Sequence, residues 1–512
     1  MLMRIEQKFN QIAQQYPQLD FILESQKKAN FQEIAEKSAQ VAGYLTKQSI
    51  KSGDRIALYC QNSMEFVICY FAILKADATV VPLHLLLKEP ALAVILKDAE
   101  ITGFIYQIDF EQTVQQLIKP ISLLKSLICI GQPHLKSAVA LNTLYNTHFS
   151  LPYKTTNNLA VILYTSATEG YPKGAMLSHR NLLSNCQSVY QALQLQPAQD
   201  RLMVVLPLFH AFAATVGMLT PALYGLTLIP LKKFDLTELS KAIEQHKATI
   251  FMGVPSMYHA LLRFPPKNRS QWRSIRFCVS GGAALPAKIW QQFEQQFKIP
   301  LLEGDGPTEC SPVTTVNPLN GIRKAHSIGL PVPNVEIQIF NPQGVVLKQG
   351  ETGEICVRGE NVTQGYWRMP KETQQSFFAD WFRTGDLGYI DSAGYIFIID
   401  RLKEMIIVNG LNIYPRLIEQ VLLQHTEIKE AAVIAESHPS HGEIPIAYLV
   451  KKDPIKILQS NKIRKWCRSY LGHHEIPRKI IFIAELPKNK QGQVIKRILN
   501  KQGELERGII SE

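Results

Sequence analysis

One stretch constrains this chain more than any other: residues 163 to 176, Leu163-Tyr-Thr-Ser-Ala-Thr-Glu-Gly-Tyr-Pro-Lys-Gly-Ala-Met176. The apolar run Leu159 to Tyr164 predicts a buried strand, and it breaks into a loop dense in hydroxyls and glycine that ends on Lys173. Beyond the loop, Ser178 can cap a helix whose apolar residues Leu182, Cys186, Val189, Tyr190 and Leu193 recur at helical spacing. Strand, polar loop and helix form an anion-binding arrangement, because backbone N–H groups and the positive end of the helix converge on one place. A loop of this composition can wrap a polyphosphate. Its glycine, lysine and hydroxyl spacing is not that of a Walker A loop, which argues against a P-loop NTPase. Taken alone, the loop could also be a solvated turn.

At 512 residues and 46% hydrophobic content the chain can bury one large and one small domain, or three modest ones, and disorder is not expected. Of its formal charge of +12, residues 401–512 carry 19 Lys plus Arg against 12 Asp plus Glu, so this end suits an anionic partner. The lysines are scattered and no nucleic-acid motif accompanies them, which favours a solvated basic face or a phosphate-bearing substrate over nucleic acid. Eight cysteines occur singly and often within apolar runs, as reduced core residues do. The first residues lack the apolar core of a signal peptide, so the cytoplasm is the expected compartment. Residues 202–231 carry no charge, but Pro207, Gly217, Pro221, Gly225 and Pro230 interrupt them, as suits a buried core or substrate pocket rather than a membrane span.

The first 150 or so residues alternate helical and strand-like patterns: Phe31 to Leu45 helical, Arg55 to Cys60 strand, Met64 to Leu74 helical, Thr79 to Pro82 strand. That alternation predicts a parallel sheet covered by helices. Further on, Phe251-Met-Gly-Val-Pro-Ser-Met257 and Ser280-Gly-Gly-Ala-Ala-Leu285 read as strand ends followed by small residues, where a flat ring could approach the backbone closely. Alone, these would be turns, and a lone His210 would more often be a core histidine.

In order along the chain, these motifs resemble the adenylate-forming enzymes: acyl-CoA synthetases, adenylation domains and luciferases. The phosphate signature of that family is matched at Thr165, Ser166, Thr168, Gly170, Pro172, Lys173 and Gly174, with Ala167 for a glycine and Glu169 for a threonine. Residues 53–83 resemble the family's first subdomain, with Asp77 at a common glycine position. Leu206-Pro-Leu-Phe-His-Ala-Phe212 resembles the stretch whose histidine lies between the activated carboxylate and the acyl pocket, which implies that role for His210. The resemblance places Gly281, Gly282 and Ala283 at the purine. In Glu303-Gly-Asp-Gly-Pro-Thr-Glu-Cys310 it gives Thr308 a phosphate and Glu309 a Mg²⁺ ion, while Asp305 stands where an aromatic residue commonly packs on adenine. Asp386 in Arg383-Thr-Gly-Asp386 resembles the carboxylate that takes both ribose hydroxyls, Arg401 resembles its cationic companion, and Lys403 resembles the hinge of the small C-terminal domain. Near the end, Gln493 occupies the position of the lysine that bridges carboxylate and α-phosphate during adenylation.

The resemblance implies an α/β fold with a large N-terminal multi-subdomain adenylate-forming domain, residues 1–402, and a smaller mobile α+β C-terminal domain, residues 403–512. The reaction implied is activation of a medium- or long-chain fatty acid by ATP and Mg²⁺ to an acyl-adenylate, followed by attack of coenzyme A to give acyl-CoA and AMP. The apolar neighbours of His210, with no acid among them to pair a substrate ammonium group, support an uncharged acyl chain. A glutamine cannot neutralise charge on a phosphorus transition state, and losing one such stabiliser costs on the order of 3 to 4 kcal/mol, so adenylation should be slow. Lys490 and Lys496 are the nearby cations that could substitute. Loading of an acyl carrier protein is a second reading, and a catalytically weakened acyl- or nucleotide-binding protein a third. Peripheral membrane contact is compatible with all three, and no transmembrane segment is expected.

Overall fold

The structure is a computed structural model and describes residues 3–145, 156–165, 172–408, 411–438, 442–473, 475–488, 494–496, 498 and 499. The chain packs as two compact units, Met1–Ile337 with Val357–Phe382 and Gln338–Cys356 with Arg383–Glu512.

In the first unit the predicted alternation is present. Arg55–Tyr59 and Thr79–Pro82 are parallel neighbours in a seven-stranded sheet, and Leu159–Thr165 runs parallel beside them before turning back antiparallel into Lys173–Ser178. The helices Phe31–Lys47 and Met64–Lys75 begin where short polar side chains can accept a first-turn N–H: Asn30 from Glu33 and Ser63 from Phe66. Ser178 does the same for Asn181 at the start of His179–Ala192, as its sequence position predicts.

A second sheet of the same unit carries five adjacent parallel strands, Thr227–Pro230, Arg201–Val204, Ile250–Gly253, Phe277–Ser280 and Leu301–Asp305. Their apolar residues are almost wholly buried, as expected of strands covered on both faces. The uncharged residues 202–231 supply two of these strands and the helical turns between them. Among the described residues no helix is long and apolar enough to cross a membrane. All eight cysteines are buried and unpaired, as their apolar settings predict.

Asp77, where the family resemblance led to an expected glycine, has a left-handed backbone with φ +59. Its carboxylate is nonetheless committed: it lies 2.8 Å from Nη2 of buried Arg4 and accepts the N–H of Thr156 at 2.9 Å. Arg4 in turn contacts Glu6 at 2.6 Å and donates to the carbonyl of Asn157. An aspartate therefore accepts some backbone strain in exchange for closing a buried charge network.

The second unit holds the hairpin Trp381–Ile390 with Ile396–Arg401, apart from its first two residues, and a five-stranded sheet. In that sheet Gly442–Lys451 pairs antiparallel with Ile428–His438 and parallel with Lys479–Phe482. The helices Pro415–Leu423 and Ser460–Arg468 bury Ile418, Leu422, Ile463 and Cys467 in its core. Packing thus groups the segment Gln338–Cys356 with Arg383–Glu512 and does not bear on the expected boundary at 402/403. Such a grouping reports which segments pack together, whereas the expected boundary concerns where the chain rotates.

Asp77→Gly relieves the backbone but removes one of the two carboxylates that pair Arg4 in a dry site. The expected result is destabilisation by about 3 to 5 kcal/mol, measured by denaturant unfolding.

Candidate active site

The segment carrying His210 leaves the strand Arg201–Val204 as Leu206-Pro-Leu-Phe-His and is fixed by one buried side chain. Asn62 donates to the carbonyls of Leu206 and Leu231 at 2.9 and 3.0 Å and accepts the N–H of Leu208 at 2.8 Å. Three of its four hydrogen-bonding positions are thereby used to hold one loop. After His210 the chain enters a π-helical turn, Ala213–Leu219, in which Gly217 fits against Val204 where a Cβ would come within 2.8 Å.

His210 opens onto a cavity with about 620 Å³ of empty volume, part of it open to solvent. Gly281, Gly282, Asp305 and Thr308 line the same cavity, so five residues from three distant motifs meet there. Its remaining walls are mostly apolar, including Val189, Phe212, Val216, Val279 and Val313. Desolvation beside those walls, and then the neighbouring His84, lower the His210 pKa. Ala283 follows in the same loop and is exposed. Gly282 has φ +77, which favours glycine, and at Gly306 a Cβ would lie 1.8 Å from the carbonyl oxygen of Pro312. The buried carboxylate of Glu303 accepts the N–H of Leu285 at 2.8 Å and so ties this loop to the next strand.

At the phosphate signature, Thr165 and Lys173 face each other across the antiparallel pair, and the Thr165 hydroxyl donates to the Lys173 carbonyl at 3.3 Å. Ser166, Thr168 and Gly170 lie outside the described residues, as do Ala167 and Glu169. The Lys173 ammonium sits 5.3 Å from the ring centroid of Tyr366. The Tyr366 hydroxyl donates to Oε1 of Glu309 at 2.8 Å. Burial, and then the Glu309 carboxylate, push the Tyr366 phenol above its usual pKa and keep it a donor. Sequence reasoning missed Tyr366, although Gly365-Tyr-Trp367 follows closely on a strand and the segment bridges to Ala175.

In the second unit, Asp386 and Arg401 are directly opposite on the hairpin, with Nε of Arg401 2.8 Å from Oδ1 of Asp386. Asp386 is buried, whereas the Arg401 side chain is 63% exposed. The turn before Asp386 is shaped by Glu354, a second missed residue, which accepts from Arg383 Nε at 2.9 Å and from the N–H of Gly385 at 3.2 Å. The backbone of Lys403 lies in the short turn Leu402–Glu404. Asp400, just ahead of it, is buried and accepts the N–H groups of Arg401 and Arg416 at 2.7 and 2.9 Å. Gln493 and Lys490 lie outside the described residues. Lys496, the other candidate substitute, is held 2.6 Å from Glu404 and 2.9 Å from Glu419. Burial alone would lower its pKa, but the two carboxylates outweigh burial and raise it. In this structure Lys496 is therefore paired with two carboxylates rather than free.

A parallel-sheet core with glycine-rich strand ends around a part-apolar cavity, together with a separate carboxylate–arginine hairpin, defines an adenylate-forming enzyme. The sequence pattern of the AMP-binding enzyme family matches residues 9–367, and that of the AMP-binding enzyme C-terminal domain matches residues 417–493. The chain belongs to the AMP-forming acyl-CoA synthetase family. It is 32% identical over 511 residues to the long-chain-fatty-acid–CoA ligase of Bacillus subtilis (strain 168), covering 92% of this chain and 90% of the relative. The corresponding ligase of Salmonella typhimurium (strain LT2) is 31% identical over 508 residues, with the same coverage. The crystal structure of ATP-bound MatB from Rhodopseudomonas palustris superposes with a TM-score of 0.88 at 28% identity, covering 98% of this chain and 99% of that one.

Asn62→Ala should leave Leu206, Leu208 and Leu231 with unpaired buried groups and free the His210 loop. The expected outcome is a loss of about 2 to 4 kcal/mol in stability. A fall in turnover beyond the unfolded fraction, checked by denaturation and by ATP-dependent thioester formation, would mark its effect on the loop.

Proposed function

We propose that this chain activates a medium- or long-chain fatty acid and passes it to coenzyme A. A carboxylate oxygen attacks the α-phosphorus of ATP and pyrophosphate leaves. The thiol sulfur of coenzyme A then attacks the acyl carbon, AMP leaves, and the thiol proton is lost. The observation that carries this reading is the cavity in which His210, the Gly281-Gly282 loop and Thr308 meet apolar walls from Val189, Phe212 and Val216. The long-chain-fatty-acid names of two relatives support the same acid class.

On this reading Thr165, Ser166, Thr168, Gly170 and Lys173 take the phosphates with Thr308, and Gly281, Gly282 and Ala283 receive the purine beside Asp305. Asp386 accepts from the ribose hydroxyls while Arg401 holds its carboxylate in place. His210 would lie where the carboxyl meets the acyl chain and could donate a hydrogen bond there. Rotation about Lys403 separates the two half-reactions. Mg²⁺ suits Glu309, because this cation is commonly held by one or two carboxylates plus substrate phosphates and water. Mg²⁺ would supply charge neutralisation at the phosphates, and the Tyr366 hydroxyl donates to the Glu309 carboxylate that would hold it.

Thioester formation from ATP, coenzyme A and a panel of acids tests this directly. Turnover or affinity should rise from short to longer acids, with roughly 0.8 kcal/mol gained per buried methylene until the cavity is full. Preference for acetate or an amino acid, or transfer to acyl carrier protein with none to coenzyme A, would overturn it.

Gln493 provides a second test, because a lysine there would serve adenylation and not thioester formation. Gln493→Lys should raise acid-dependent ATP–pyrophosphate exchange by roughly 10² to 10³. Conversion of supplied acyl-adenylate to thioester should change little. Exchange that stays at background in a variant that binds ATP and acid would instead favour a binding role.

A further inference from the structure

Between the strand Gly442–Lys451 and the helix Ser460–Arg468 the chain forms a loop whose tip is apolar and whose surroundings are basic. Ile455 and Ile457 are each 89% exposed, the highest values among the exposed large hydrophobic side chains of the described residues. The loop is a built feature. Lys451 Nζ donates to the carbonyls of Pro454 and Lys456 at 2.5 and 2.9 Å, and the N–H of Ile455 donates to Asp453 at 3.0 Å. These bonds fold the backbone inward, so that Leu458 packs on the core while the two isoleucines stay outside. Residues 451–468 carry five lysines and two arginines against a single aspartate. In the helix that follows the loop, Ile463 and Cys467 face the core, leaving Lys462, Lys465 and Arg468 exposed on the other side. Lys456 is paired with Glu427, whereas Lys452, Lys462, Lys465 and Arg468 make no ion pair with described residues.

We propose that this loop and the basic helix behind it dock on an anionic lipid bilayer. Two branched apolar side chains on a projecting tip gain by entering the acyl boundary, and lysines around them gain from the negative surface potential. Neither contribution suffices alone, and together they give the two signals that reversible membrane attachment needs. An acidic protein would satisfy the lysines, but it would have to supply a pocket for each projecting isoleucine. A bilayer needs no such fit. The inference rests on the fatty-acid reading only for its purpose: a long acid dissolves in membranes, and a docked enzyme meets it there.

The test is sedimentation of the full chain with vesicles of phosphatidylcholine alone or with 30% phosphatidylglycerol. Binding should require phosphatidylglycerol and disappear at high salt, and it should weaken about tenfold or more in Ile455→Ser/Ile457→Ser. Lys462→Glu/Lys465→Glu should weaken it as well, which keeps the test intact if the first variant misfolds. Turnover of a short, water-soluble acid by folded Ile455→Ser/Ile457→Ser should equal that of the parent, so a failed ligase reading and a failed membrane reading give different results. The proposal is overturned by absence of binding to anionic vesicles, by equal binding to neutral ones, or by binding that the two double variants leave unchanged. Retention on an immobilised acidic carrier protein without vesicle binding would also overturn it.

Discussion

The site depends on one buried carboxylate that joins strands and loops which the sequence keeps far apart. Glu303 sits at the end of the strand Leu301–Asp305, and its side chain holds the loop after Phe277–Ser280 through Leu285. Its backbone carbonyl accepts the N–H of Asn317 at 2.8 Å and the side-chain amide at 3.2 Å, and that amide reaches on to the Ser327 carbonyl at 2.7 Å. Four segments thus share one small set of hydrogen bonds in a dry environment, where an unmatched group would cost about 1 to 3 kcal/mol. Gly281-Gly282 on one side and Asp305-Gly306 on the other are therefore held at a fixed separation, and a ligand entering between them meets walls already in place.

The second unit shows the same economy with charge. Glu354 fixes the turn that presents Asp386, Asp400 ties the end of the hairpin to the start of the helix Pro415–Leu423, and Lys496 is held between Glu404 and Glu419. Each buried charge meets an opposite charge or backbone N–H groups, the condition under which charge can be buried at all. Lys496, engaged by two carboxylates, has lost both its freedom and much of its electrostatic reach.

Much of this was legible in the residues because period and punctuation are local. The strands Arg55–Tyr59 and Thr79–Pro82 and the helices starting at Phe31, Met64 and His179 follow from apolar spacing and from Asn30, Ser63 and Ser178 at their starts. The meeting of His210, Gly281, Gly282, Asp305 and Thr308 at one cavity was also foreseeable, since each belongs to a recognisable pattern. Asn62, Glu354 and Tyr366 were not. They act through partners 29 to 169 residues away, and nothing in their immediate neighbours distinguishes them from ordinary surface or core positions. The role of Asp77 was half legible: its position looked structural, but the Arg4 partner that gives the carboxylate its reason lies far back in the chain.

The apolar walls of the cavity come from elements that do not carry the polar rim. Val189 belongs to the helix His179–Ala192, Val216 to the π-helical turn, and Val313 and Val316 to the segment after the Thr308 turn. The polar rim, by contrast, is set by Glu303, Asn62 and glycines such as Gly306, where a Cβ would meet the Pro312 carbonyl. Side chains on the walls can therefore vary without moving the groups of the rim. Such a division lets one fold accept different occupants, and on the proposed reading Val189, Phe212 and Val216 face the acyl chain.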